Sequence, residues 1–269
     1  MGPVETLARA HPGFRPDAAA RTAFLVFDTE SVPDGQLLAD VKYPGEGLTP
    51  DQAVARAHQE AKAATGSDFL PVSFHVPVAV AVLRVAADYT LQDFALLDAP
   101  HFRPRQIAET FWLGTSLHHR AKLVTFHGRR FDLPLMELAA FRYGLPLGDY
   151  VQTSRNRMSG PLDLHDWLTD HGTVRISGGL DLLAKLVGRR GKMGVRGSDV
   201  HRLHAAGYVR EVNDYCLCDA LDTYFVFLRT RVMACEITSE QEADIAGRAE
   251  ELLRQRTTEF PVLERYLAG

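Results

Sequence analysis

The sequence predicts an α/β fold in which the strands come early in the chain and the helices come late. The supporting observations are an apolar run at 23–27, two segments rich in β-branched and apolar residues at 76–85 and 90–97, and helical spacing of apolar residues through most of the second half. The 269 residues are 46% hydrophobic and 24% charged, which is the composition of a folded globular protein. We expect one domain over 1–269, because α/β folds of this length often keep a single continuous core.

The first predicted strand is the run AFLVF at 23–27, which Arg21 precedes and Asp28 follows. A short apolar run between charged residues is typical of a buried strand. Residues 1–21 are expected to form an N-terminal extension, and they lack the apolar core of a signal peptide. After the strand, the segment YPGEG and an alanine-rich stretch predict a loop–helix insertion at about 34–73.

The remaining elements follow from the same patterns. Thr49 and Pro50 provide a cap and a first-turn proline for the helix of the insertion. Pro134 likewise suits the first turn of a helix that begins at about Asp132. The other predicted elements are the insertion helix at 51–65, an antiparallel hairpin at 76–85 and 90–97, a helix at 104–119, a strand at 123–126, and helices at 164–170, 179–187, 199–206, 209–231 and 239–267.

Charge and cysteine content narrow the environment that we expect for the protein. The formal net charge is −4 and the isoelectric point is near 6.3, so a bound polyanion would have to be held by local basic patches or metal ions. Cys216, Cys218 and Cys235 are too few and too clustered for a disulfide framework, which favours a reducing compartment, by default the cytoplasm. The sequence has no run of the ~18 apolar residues that a membrane span needs, so we expect no membrane association.

Two acidic residues at the end of the first predicted strand are the first candidates for chemistry. Asp28 and Glu30 are two positions apart, and the period of two in a strand sends both side chains to the same face. This geometry suits a pair of metal ligands. Acidic residues also commonly end strands, so the pair needs partners elsewhere in the chain to carry a function.

Two later segments supply those partners. The strand at 123–126 leads through a glycine turn to Asp132 at a helix start, where the side chain could cap the helix, bind a metal, or do both. On the helix at 209–231, Tyr215 and Asp219 are four residues apart and share one face. A tyrosine at the edge of the core and an acid facing solvent are the simpler interpretations of this pair.

Four carboxylates at one point predict a particular chemistry. Without counter-ions they would repel one another, and raised pKa values would drive some of them to protonate. Hydrolysis of a phosphodiester needs an activated water, neutralised phosphoryl charge and a stabilised leaving oxygen. Two divalent cations ~4 Å apart provide all three, and Mg²⁺ and Mn²⁺ prefer oxygen ligands.

Three segments in this order resemble the exonuclease motifs of the DEDD superfamily, which has the ribonuclease H-like fold. They are FDTESVPD at 27–34, GRRFDLP at 128–134 and NDYCLCDALDTY at 213–224. The resemblance is closest to bacterial proteins described as predicted 3′-5′ exonucleases related to the proofreading domain of family B DNA polymerases. It implies a mixed five-stranded sheet, with three antiparallel strands followed by parallel strands, flanked by helices.

The resemblance also implies a role for each acidic residue. Asp28, Glu30 and Asp219 would hold the catalytic metal, while Asp28 and Asp132 would serve a second one, with Mg²⁺ or Mn²⁺ as the two cations. Tyr215 would orient the attacking water, as in the DEDDy subclass. The implied substrate is the 3′ end of single-stranded DNA or RNA, with DNA favoured and nucleoside 5′-monophosphates released. A proofreading or DNA-repair role is expected to need a protein partner.

Substrate contacts are expected from residues around these motifs. Arg129, Arg130 and Phe131 stand beside the second motif. His127 departs from the asparagine that the family usually has ahead of the glycine, which puts the contact made by that amide in doubt. Lys192 lies in a glycine-rich basic segment that could contact phosphates of the strand or could be an ordinary solvated loop.

A His–Asp pair and a cysteine pair suggest alternatives to the exonuclease. The pair His165–Asp166 is found in HD-type phosphohydrolases, but that chemistry needs further histidines. Cys216 and Cys218 are two apart on a helix, so they point in nearly opposite directions and cannot bind one zinc together. The rival from another class is a catalytically silent nucleic-acid-binding module with the same fold.

Overall fold

A computed structural model describes residues 22–154, 160–194 and 196–268. The N-terminal extension expected at 1–21 lies outside these described residues. The strands are β1 (Thr22–Pro33), β2 (His75–Ala86), β3 (Leu91–Leu96), β4 (Lys122–Thr125) and β5 (Leu162–Asp163). They form one sheet in the order β3-β2-β1-β4-β5, in which β1, β2 and β3 are antiparallel and β4 and β5 continue in parallel. The expected mixed five-stranded α/β fold is therefore confirmed.

Helices flank the sheet and dominate the second half of the chain. They are α1 (Gly35–Lys42), α2 (Pro50–Thr65), α3 (Pro104–Leu117), α4 (Asp132–Tyr143), α5 (Tyr150–Ser154), α6 (Leu164–Leu168), α7 (Gly179–Leu186), α8 (Val200–Ala205), α9 (Val209–Met233), α10 (Ser239–Gln255) and α11 (Val262–Leu267). Within the described ranges, no helix has the length and apolar character required to cross a bilayer.

Most element predictions agree with the structure, and the differences have local causes. The single helix expected at 239–267 is wrong, because the chain breaks before Pro261 and resumes as α11. A proline inside a helix would remove one backbone hydrogen bond and clash with the preceding turn. The sequence patterns missed α1, α5 and β5, which are only 8, 5 and 2 residues long.

Strand β1 is longer than the apolar run that predicts it. The expected strand ends at Phe27, but pairing with β2 continues through Asp28, opposite Ala81, and Glu30, opposite Ala79. Both acidic residues therefore lie inside a strand and not at its end. The parallel pairing with β4 covers only Phe24 to Val26 of β1, so the acidic half of β1 extends beyond the end of β4.

The two faces of β1 belong to different parts of the core. Val26 joins the cluster that packs α9 against the sheet, whereas Leu25 and Phe27 join the cluster beneath α3 and α4. Alternation along the strand then places Asp28 and Glu30 on the α9 face. The length of β1 and its burial on both faces fix these two acids against the longest helix of the molecule.

The insertion, residues 34–73, forms a small layer with its own core. Its second helix, α2, begins with a capping box between Thr49 and Gln52, as the sequence predicts for Thr49 and Pro50. Asp34 forms an ion pair with Arg142 of α4, which fastens the insertion to the sheet layer. The buried residues of this core are Leu38, Tyr43, Ala53, Val54, Ala57 and Leu70.

Candidate active site

Three carboxylates meet where β1 faces α9. One oxygen from each of Asp28, Glu30 and Asp219 lies within 4.8 Å of the others, and we call this set the carboxylate trio. Asp28 and Glu30 come from alternate positions of β1, and Asp219 comes from the buried face of α9. Residues 190 positions apart in the chain therefore form one site only because α9 packs on β1.

Tyr215 stands one helical turn before Asp219 on α9. Its hydroxyl lies close enough to the Asp219 carboxylate to influence the pKa of that acid, and Tyr215 is only 8% exposed. Burial, followed by the charges of Asp219 and Glu30, raises the pKa of Tyr215 far above its usual range. The phenol therefore stays protonated at neutral pH and can act as a hydrogen-bond donor but not as a base.

Asp132 approaches the trio from the other face of β1. Its carboxylate accepts a hydrogen bond from the Thr29 hydroxyl at 2.5 Å and another from the Thr125 hydroxyl at 3.4 Å. The capping role considered for Asp132 is not found, because Phe131 occupies the cap position and no side chain caps α4. Asp132 is instead a buried acid, 4% exposed, whose charge acts on Asp28 and Glu30.

The carboxylates raise one another's pKa values. Burial, then the charges of Asp132, Asp219 and Glu30, raises the pKa of Asp28 well above its usual value. Burial, then the charges of Asp219 and Asp132, raises the pKa of Glu30. Burial raises the pKa of Asp132 to about 6 and that of Asp219 to about 6. The protein thus concentrates negative charge where water cannot fully solvate it.

The donor set at this point fits a hard divalent cation. Asp28 Oδ2 is buried and has no hydrogen-bond partner among the described residues. Carboxylate oxygens are the ligands that Mg²⁺ and Mn²⁺ prefer, and a cation would relieve the repulsion that raises the pKa values. The trio can therefore hold a metal ion, and Asp132 stands close enough to influence it electrostatically.

A tight loop between β4 and α4 delivers Asp132. A Cβ added to Gly128 would lie 2.8 Å from Asp132 Oδ2, so only glycine allows the carboxylate to sit against this loop. His127 adopts a left-handed backbone conformation with φ of 63°. Histidine tolerates that conformation better than most residues, so the backbone accepts it at this position. Burial lowers the pKa of the His127 ring.

Asp163 at the end of β5 holds this loop in place. It accepts hydrogen bonds from the backbone N–H groups of His127 at 2.8 Å and Arg129 at 2.9 Å. It also accepts those of His165 at 2.9 Å and Asp166 at 3.3 Å, where it caps α6. The hold of Asp163 on the loop depends on the pairing between β4 and β5, which the sequence alone does not reveal.

The basic residues named from the sequence differ in what they contact. The Arg129 guanidinium donates to the Pro161 carbonyl at 2.6 Å, whereas Arg130 is exposed. Lys192 Nζ lies 5.9 Å from the centre of the Tyr215 ring, and its charge lowers the pKa of Glu30 and of Asp219. Lys192 and the trio therefore share one electrostatic environment.

The two arginines that come shortly before Lys192 contact other parts of the chain. Arg189 forms an ion pair with Glu250 at 2.6 Å, and Arg190 donates to the backbone carbonyl of Arg265. The two cysteines of α9 are buried, with the Cys216 thiol directed at the carbonyl oxygen of Asp28 at 3.3 Å. Both belong to the core cluster that packs α9 against the sheet.

A cleft of about 120 Å³ opens beside the trio. Its walls include Lys192, Tyr215 and Asp219, together with Met193 and Asp214. A second cavity of about 370 Å³ lies between α3 and β3, on the opposite face of the sheet, and none of the site residues lines it. Asp219 is the member of the trio that lines the smaller opening.

Comparison with known protein families identifies a related family. A family described as predicted 3'-5' exonuclease related to the exonuclease domain of PolB matches residues 67–269. The matched region contains Asp132, Tyr215 and Asp219 but begins after Asp28 and Glu30, which reach the site through the packing of β1 against α9. No curated protein matches the chain.

Proposed function

The chain belongs to the family of predicted 3'-5' exonucleases related to the exonuclease domain of PolB, and from this premise we propose that it hydrolyses phosphodiester bonds at the 3′ end of single-stranded nucleic acid. The observation that carries the proposal is the meeting of Asp28, Glu30 and Asp219 within 4.8 Å, with Tyr215 beside Asp219. DNA is the favoured substrate because the family is related to the exonuclease domain of a polymerase.

Two divalent cations, Mg²⁺ or Mn²⁺, would complete the site. The trio would hold one, and Asp28 together with Asp132 would hold the other. When bound, such cations lower the pKa of water and neutralise charge on the phosphoryl and leaving oxygens. The high pKa values of these acids in the metal-free protein support this assignment, since a counter-charge is what the cluster lacks.

Tyr215 positions the attacking water through its hydroxyl. The phenol stays protonated and its orientation is fixed by Asp219, so it can hold a water on one side of the scissile phosphate. Lys192 adds a positive charge beside Tyr215 and Glu30, where it would attract the phosphate of the terminal nucleotide.

Other side chains would hold the rest of the strand. Arg130 is exposed and would contact backbone phosphates, whereas Arg129 would act mainly by bracing the loop against Pro161. Phe131 would contact a base, and His127 would replace the usual asparagine with a ring that burial keeps largely neutral. The released product would be a nucleoside 5′-monophosphate.

Digestion of end-labelled oligonucleotides tests the proposal. Purified protein with Mn²⁺ or Mg²⁺ should shorten a 5′-labelled single strand one nucleotide at a time and should release a single nucleotide from a 3′-labelled strand at once. Asp219→Asn should lower the rate by at least ~10³-fold, since it removes a ligand of the metal that the trio would hold. Parallel reactions on single-stranded DNA, duplex DNA and RNA rank the substrates.

A matched control separates chemistry from surface charge. Asp244→Asn changes an acid whose side chain is 72% exposed, so the rate should stay within about twofold of wild type. Failure of the wild type to digest any 3′ end, or an undiminished rate in Asp219→Asn, contradicts the proposal. A silent nucleic-acid-binding module would give the first of these results and would also bind no paired cations in a calorimetric titration.

A further inference from the structure

Three aromatic rings from separate parts of the chain meet beside the candidate active site. The ring centres of Phe69 and Phe131 are 5.5 Å apart, those of Phe69 and His75 are 5.4 Å apart, and those of His75 and Phe131 are 6.0 Å apart. We call this set the ring cluster. Phe69 comes from the insertion, His75 begins β2 and Phe131 precedes α4.

The ring cluster adjoins the acidic residues on two sides. Phe131 directly precedes Asp132 in the chain. The ring Nδ1 of His75 lies 2.9 Å from the hydroxyl of Ser31, which directly follows Glu30. The rings therefore lie next to the two chain segments that carry Glu30 and Asp132.

Phe69 is the outermost member, and its exposure is built into the local structure. Its side chain is 60% exposed although the backbone around it is held. The Phe69 N–H donates to the Ser67 hydroxyl at 3.2 Å, the Asp68 carbonyl accepts from the His58 ring at 2.6 Å, and Leu70 is buried in the core of the insertion. A fixed, solvent-exposed aromatic face forgoes hydrophobic stabilisation unless something binds to it.

The ring cluster is uncharged, so it suits bases better than phosphates. Burial lowers the pKa of His75 to about 4, which leaves this ring neutral at physiological pH. The two phenylalanines carry no charge. An aromatic side chain can stack on any of the four bases, because each base has a π-face of its own.

We propose that Phe69, backed by His75 and Phe131, stacks against an unpaired base of the substrate strand next to its hydrolysed 3′ end. This inference rests on the proposed exonuclease function and adds to it a role for the insertion. A base inside a duplex is stacked on both faces and must be unpaired and unstacked before it can reach the ring, so a stacking surface of this kind favours single-stranded or frayed ends. Selection of this kind is tolerant of sequence.

Binding measurements with Phe69→Ala test the role of the ring. Fluorescence anisotropy of a 5′-labelled oligothymidylate is measured in Ca²⁺, so that the result does not depend on turnover. Loss of one stacking contact should raise the dissociation constant by about 10-fold. Phe69→Trp should restore wild-type affinity, because it keeps an aromatic face.

Phe141→Ala is the matched control. Phe141 is 88% exposed on α4 and takes part in no ring contact among the described residues, so its loss should leave affinity within twofold. Thermal unfolding of all variants should coincide with that of wild type, because Phe69 and Phe141 contribute little to the core.

Oligonucleotides with a single abasic site at each of the last four positions locate the base. At one position, removal of the base should lower the affinity of the wild-type protein as much as Phe69→Ala does. The Phe69→Ala variant should bind the same abasic oligonucleotide as well as it binds the intact one. Wild-type affinity in Phe69→Ala, or an equal loss with every abasic oligonucleotide, overturns the stacking proposal. Failure of the exonuclease function itself appears separately, as absent digestion in Mn²⁺ by a protein whose binding still depends on Phe69.

Discussion

The carboxylate trio and Asp163 are acidic sites on the same sheet, and they differ in what compensates their charge. Asp163 accepts four backbone N–H groups at 2.8–3.3 Å and is almost fully buried. In the trio, Asp28 Oδ2 has no partner among the described residues, and neighbouring acids raise the pKa values. The four hydrogen bonds of Asp163 therefore stabilise the fold without a ligand. In the trio, the charge repulsion is unfavourable in the folded protein and would be relieved when a cation binds.

Asp222 falls between these two extremes. It is buried on α9 one turn beyond Asp219, and its carboxylate accepts one hydrogen bond, from the Tyr266 hydroxyl at 2.7 Å. Burial raises the pKa of Asp222 to about 7. The number of hydrogen-bond donors that reach each buried acid thus indicates its role. An acid with many donors stabilises the fold, an acid with few destabilises it, and an acid with none is a candidate for binding a ligand.

The largest expected effect comes from Asp28→Asn. Exonuclease activity should fall by at least ~10³-fold, since Asp28 serves both proposed metal positions. In EDTA the same variant should be more stable than wild type by about 1–2 kcal/mol, because a buried charge and its repulsion are removed. Urea unfolding and the oligonucleotide assay measure the two quantities on the same preparation.

Asp40→Asn is the control for this variant, since Asp40 is exposed on α1. Both activity and stability should stay near wild type. A loss of stability in Asp28→Asn without metal would mean that the trio is a structural site, and the contrast with Asp163 would then disappear.

Asp163→Asn should have the opposite effect on stability. The amide keeps one acceptor oxygen and turns a donor towards N–H groups, so unfolding free energy should fall by about 2–4 kcal/mol with or without metal. Urea denaturation in EDTA and in Mn²⁺ checks both conditions. An equal loss in both is expected because Asp163 bonds only to the backbone in the described structure.

The neighbour Asp166 provides the matched comparison. Its side chain lies 3.8 Å from Arg129 and 3.9 Å from His171, without a short hydrogen bond between them. Asp166→Asn should therefore cost less than ~1 kcal/mol. Similar losses in both variants would show that position on β5 and α6, and not the four N–H bonds, determines the cost.

Addition of metal should stabilise the trio and leave Asp163 unaffected. At about 100 times the dissociation constant, Mn²⁺ should raise the unfolding free energy of wild type by ~2.7 kcal/mol. Differential scanning fluorimetry follows the rise in melting temperature as Mn²⁺ is titrated. Asp163→Asn should show the same shift from a lower starting point, whereas an equal shift in Asp28→Asn would place the cation elsewhere.

The smallest effect concerns pH and Asp222. Its pKa of about 7 in the folded protein lies above the value of an unfolded aspartate, so the folded state binds the extra proton between these two values. The stability that this proton provides is complete at low pH and is lost as pH rises through about 7. From pH 5 to pH 8, wild type should lose about 2 kcal/mol relative to Asp222→Asn.

Urea unfolding of both proteins in EDTA at pH 5, 6, 7 and 8 tests this difference. The active-site acids titrate alike in both proteins, so they cancel in the comparison. If the difference in unfolding free energy between the two proteins stays constant from pH 5 to pH 8, Asp222 does not change its protonation in that range. Asp222 would then no longer be intermediate between Asp28 and Asp163.

The sequence determined the sheet and the chemistry of the site through local patterns. Alternation along β1 puts Asp28 and Glu30 on one face, and helical spacing puts Tyr215 and Asp219 together on α9. Both relations depend only on the period of a strand or a helix, so they can be deduced before any packing is known. The hairpin of β2 and β3 and the capped start of α2 are local in the same way.

The tertiary structure decided which of these local pairs meet and how each charge is compensated. The two acids of β1 face Asp219 because α9 packs on that side of the sheet, and Asp132 is turned to Thr29 and Thr125 instead of capping α4. The contact between Phe69 and Phe131, and the two N–H bonds from the loop between β4 and α4 to Asp163, also join residues far apart in the chain. Contacts of that kind depend on long-range packing and strand order, which no periodic pattern within one segment encodes.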